Sequence, residues 1–180
     1  MNISSTYYND KEIQYMKESM KKSISEFMSY TESEDYMGII LRAQIYIEND
    51  LNELIKKLLI HPEKISLQFF SAKLDAAYAL GAIDDEWYGA LKKFNRLRNK
   101  YAHDFGYELK TSDYEDLIST LSKDAKKEFQ INLEREKWFI AFTNKIDADP
   151  QNLDLKYKLR ILLSDFMLYI RQQNLDFETL

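Results

Sequence analysis

Between Asp35 and Ile60 the residues Met37, Ile40, Leu41, Ile47, Leu51, Leu54, Ile55 and Leu58 recur at three- and four-residue spacing. That period puts them on one stripe of an α-helix and disagrees with the two-residue alternation of a half-buried strand. A helix this long, apolar on one side, must bury its stripe against other elements. The chain offers further helices for that purpose. With 4 Gly and 2 Pro in 180 residues it lacks the turn residues of a sheet protein, while Leu, Ile, Lys, Glu and Asp abound.

Other segments repeat the pattern. Asn9 is a plausible cap for a helix over Asp10–Tyr30 carrying Ile13, Met16, Met20, Ile24, Phe27 and Met28. Thr31 or Ser33 is available to cap the long helix, and His61-Pro62 ends it, because the residue before proline is pushed out of the α region. His61 itself reads as a partner for that helix's C-terminal dipole rather than as a ligand. A short helix over Phe70–Leu80 stops at Gly81, and Asp84 or Asp85 caps the next, Asp84–Asp104. Ser112-Asp113-Tyr114-Glu115 fits a capping box for a helix running to Ser122. Lys123–Ile146, with Phe129, Leu133, Trp138, Phe139 and Phe142, forms another, followed by a turn over Asp147–Pro150. The last, Leu153 to Gln172, uses Leu155, Leu159, Leu162, Leu163, Phe166 and Ile170. The expectation is an all-α, single-domain bundle of about six to seven helices over residues 1–180, with loose ends at 1–8 and 174–180.

Composition removes several classes of function. There is no cysteine, so disulfides, thiol nucleophiles and thiolate metal sites are excluded. Two distant histidines, His61 and His103, make a zinc site unexpected, and no phosphate loop, nucleophile elbow or HExxH pattern occurs. No metal or cofactor is expected. No apolar run reaches membrane-spanning length and the N-terminus lacks a signal-peptide pattern, which points to the cytoplasm. The net charge of −5 carries no general nucleic-acid footprint, although the basic residues of the 92–100 stretch are a local exception; it suits a basic protein partner.

One residue breaks its helix's pattern. On a wheel of about 100° per residue, Leu91, Trp87, Phe94 and Ala102 lie within roughly 40° of Arg98, with Tyr101 at the edge. Arg98 thus projects from an apolar face, where an arginine needs an acidic or hydrogen-bonding partner. Glu48 interrupts the stripe of the long helix in the same way. The two are expected to meet in the core, with Gln44, Asn95 or Asn99 completing their hydrogen bonds, unless Glu48 reaches solvent at the stripe's edge. If they pair, Arg98→Ala or Glu48→Ala should cost about 3–5 kcal/mol. Arg98 also admits a chemical reading. An arginine that stabilises phosphorane charge and a histidine acting as general acid or base, here His103, would suffice for metal-independent RNA cleavage. Five residues apart on one helix they diverge by about 140°, so convergence needs a helix end near His103 or a second subunit.

The run from Phe70 to Ile83, FSAKLDAAYALGAI, followed by LRNKYAH at 97–103, resembles the mannitol operon repressor (MltR-like) family; Arg42, Ala43, Ile47, Leu51 and Leu54 fit the same pattern. The resemblance covers residues 35–108 and implies an all-helical regulator without an evident DNA-reading helix. The RNxxAH element is also similar to the Arg-polar-x3-His signature of HEPN domains, a group that includes metal-independent ribonucleases and toxin–antitoxin partners. That resemblance implies Arg98, Asn99 and His103 as catalytic residues in a site shared by two subunits.

Taken together, the sequence favours a non-enzymatic, protein-binding regulator: an MltR-like protein or an immunity or antitoxin-type inhibitor covering a basic partner such as a nuclease toxin. Acidic and tyrosine side chains suit such contacts, and Tyr7, Tyr8, Glu32, Glu34, Asp35 and Tyr107 are the candidates. A homodimeric ribonuclease and a transcriptional repressor that binds DNA or another regulator are the alternatives.

Overall fold

The structure, a computed structural model, describes residues 10–104, 106–144 and 154–176. These form seven helices: α1 (Asp10–Tyr30), α2 (Tyr36–Leu58), α3 (Phe70–Ala79), α4 (Asp85–His103), α5 (Thr111–Ser119), α6 (Lys123–Asn144) and α7 (Leu155–Asp176). A single 3-10 turn, Pro62–Lys64, interrupts the connection from α2 to α3. The all-α expectation holds. Asn9, the turn at 147–150 and the side chains of Ile13, Met16, Trp138, Phe139 and Phe142 lie outside what is described.

Local chemistry sets the helix limits. Asp35, not Thr31 or Ser33, caps α2, its carboxylate accepting the Gly38 N–H at 2.8 Å. The short 31–35 connection leaves Thr31 to α1 instead, where its hydroxyl donates to the Phe27 carbonyl at 2.7 Å. Helix α3 closes with a Schellman turn: Gly81, at φ 76°, donates to the Tyr78 carbonyl, and Ala82 donates to Ala77. Asp84 caps α4 by accepting the Trp87 N–H. Helix α5 begins at Thr111, one residue before the expected box. Asp113 reaches back to the Lys110 N–H at 2.9 Å, which supplies half of such a box.

Helices α2 and α7 form the centre. Glu32 meets Lys156, Asp50 pairs with Arg171 at 3.0 Å, and Asn174 accepts from Lys57, so the two run in the same direction. Asn174 is buried and bonds Asp50 and Ile170 carbonyls, which extends α7 beyond Gln172 to Asp176. Helix α2 turns Ile39, Ile40, Ala43, Ile47, Leu51 and Leu54 inward along its single stripe. By contrast α7, packed against α1, α2, α5 and α6, is buried on nearly every side between Leu159 and Met167. Helices α3 and α4 complete the core through edge-to-face ring contacts from Phe70 to Phe94 and from Phe94 to Phe166. Among the described residues no helix is long and apolar enough to cross a membrane.

Candidate functional site

Arg98 is half-buried, not enclosed, and its partner is not Glu48. Its Nε donates to Gln44 Oε1 at 2.6 Å and its Nη1 to Asn99 Oδ1 at 2.8 Å. Gln44, one turn before Glu48 on α2, passes the connection on by donating to Glu48 Oε2 at 3.3 Å. The ion pair of Glu48 is with Lys73 of α3, Nζ to Oε1 2.6 Å. The expected Glu48–Arg98 pair is therefore replaced by a relay, Lys73–Glu48–Gln44–Arg98–Asn99, across three helices. The reason is packing: α3 lies against α2 more extensively than α4 does, and brings a lysine, 7% exposed, to the carboxylate first.

His103 does not join this relay. Helix α4 runs unbroken through Arg98 and His103, so the two side chains leave it about 140° apart, and His103 is exposed at its last residue. The structure thus joins Arg98 to Asn99 but not to His103. His61 stands three residues beyond the end of α2, exposed, with Nδ1 3.7 Å from Glu63 rather than on the last carbonyls of the helix.

The surface candidates separate into four groups. Tyr7 and Tyr8 lie outside the described residues. Glu34 is engaged internally: its Oε1 accepts Arg42 Nε at 3.0 Å, and its side chain folds over Gly38. Glu32 is exposed at the turn between α1 and α2. Asp35 and Tyr107 are brought together, far apart in sequence, in a cleft of about 380 Å³ between the start of α2 and the end of α4.

This cleft has a definite chemistry. Its acidic side chains are Asp35, Asp104 and Glu108, all exposed, and no lysine or arginine lines it among the described residues. Tyr36, Tyr101 and Tyr107 supply aromatic walls, with the Tyr101 and Tyr107 rings edge-to-face at 5.1 Å. Met37 and Leu109 complete an apolar lining. Two backbone effects act on the carboxylates. Asp35 sits at the positive end of α2, whereas Asp104, which accepts the Gly106 N–H at 3.1 Å, stands at the negative end of α4 and adds to its field. Tyr101 is 7% exposed, and its hydroxyl is enclosed beside the Leu109 backbone. Burial, partly offset by the Leu109 backbone, pushes its phenol up to about 12, so it stays neutral. Lys100 binds the outer side, Nζ 5.2 Å from the Tyr107 ring centre and 3.3 Å from Asp113. Among the described residues no three His, Asp or Glu side chains are placed to hold a metal ion.

Sequence reasoning missed Tyr36, Met37, Tyr101, Asp104 and Glu108 as a group. Their individual signals are ordinary, and only the packing of α2 beside α4 assembles them. Lys73 was findable, since Phe70, Lys73, Leu74 and Ala77 share one helix face on which a lysine is out of place. No protein-family model matches the chain, and neither curated proteins nor solved structures give a significant match.

Proposed function

We propose that the chain is a protein-binding regulator that receives a basic partner at the cleft between α2 and α4, in the manner of an immunity or antitoxin-type inhibitor or an MltR-like regulator. The observation that supports this reading is the cleft itself. Three exposed carboxylates stand around tyrosine walls with no cation among the described lining residues. Such a surface attracts cationic residues over long range and offers flat rings for close contact. The overall charge of −5 acts in the same sense.

Tagged chain purified from its native cells should carry a basic protein in stoichiometric amount. Asp104→Lys combined with Glu108→Lys should weaken that complex at least about tenfold and flatten its salt dependence, as expected for lost charge complementarity. A partner bound with undiminished affinity by the double variant, or no stoichiometric partner, overturns the reading. RNA incubated with the chain in EDTA should stay intact. Cleavage that disappears in His103→Ala would put the ribonuclease reading in its place.

A further inference from the structure

We draw no further inference here: the strongest candidate, the largely apolar cavity of about 330 Å³ between α6 and α7 walled by Trp87, Phe129 and Tyr169, carries nothing because nothing among the described residues shows what occupies it.

Discussion

Two arginines, Arg98 on α4 and Arg160 on α7, show what a helical wheel reveals and what it hides. Arg98 sits on an otherwise apolar face, yet it is half-buried and, among the described residues, reaches only amide oxygens, those of Gln44 and Asn99. Arg160 is 8% exposed and has no carboxylate within ion-pair distance among the described residues. It closes the end of α1 instead: Nε donates to Thr31 Oγ1 at 3.0 Å and Nη2 to the Met28 carbonyl, while the guanidinium lies 5.6 Å from the Tyr157 ring centre. Burial pulls its pKa down, the neighbouring Tyr157, Glu32 and Asp154 act the other way, and the Met28 carbonyl, at the partly negative end of α1, accepts its hydrogen bond. A buried arginine, then, need not have a carboxylate in contact. It needs acceptors held rigidly, and a helix C-terminus provides them.

The comparison can be broken by mutation. Arg160→Ala should be the most damaging, costing about 3 kcal/mol, since it leaves the Met28 carbonyl without its donor and opens a void between α1 and α7. Urea unfolding followed by circular dichroism measures it; a loss no greater than that for Arg98→Ala would show that the cap contributes little. Lys73→Met comes next at about 1–2 kcal/mol, because it strands Glu48 against the core. Combining it with Glu48→Met should recover most of that loss, as expected when both members of a pair are replaced by apolar groups. Additive losses in this double variant would mean that the pair contributes little beyond packing. The smallest effect is Arg98→Ala, at about 1 kcal/mol. This is well below the figure of about 3–5 kcal/mol that a buried Arg98–Glu48 pair requires, and a loss of that larger size would restore direct pairing.

Much of this was legible in the residues. The start of α4, the end of α3 at Gly81 and the stripe of α2 follow from capping chemistry and periodicity, which depend on neighbours within a few positions. The start of α2 was less so, because Thr31, Ser33 and Asp35 all have side chains able to cap and the connection decides among them. In α7 the run Leu159-Arg160-Ile161-Leu162-Leu163 points apolar residues in every direction, which already marks a helix without a solvent face. Arg160 in that run carried the clearer sign of burial, and Arg98 drew attention only because its surroundings are easier to describe on one face. Of the candidate contacts, Asp35 and Tyr107 share a cleft, whereas Glu34 is tied to Arg42, an ion pair eight residues apart that no helical period announces.

The sequence by itself determined that this chain is a set of amphipathic helices with polar residues set into two of their apolar faces, since helix propensity, caps and period are local properties. Which polar residue meets which was decided only by tertiary structure. Glu48 took Lys73 rather than Arg98 because α3 packs more closely on α2, and Asp35, Tyr101, Asp104 and Glu108 became neighbours because α2 begins where α4 ends. Such meetings depend on the relative placement of helices, and a one-dimensional pattern carries no term for the distance between two faces.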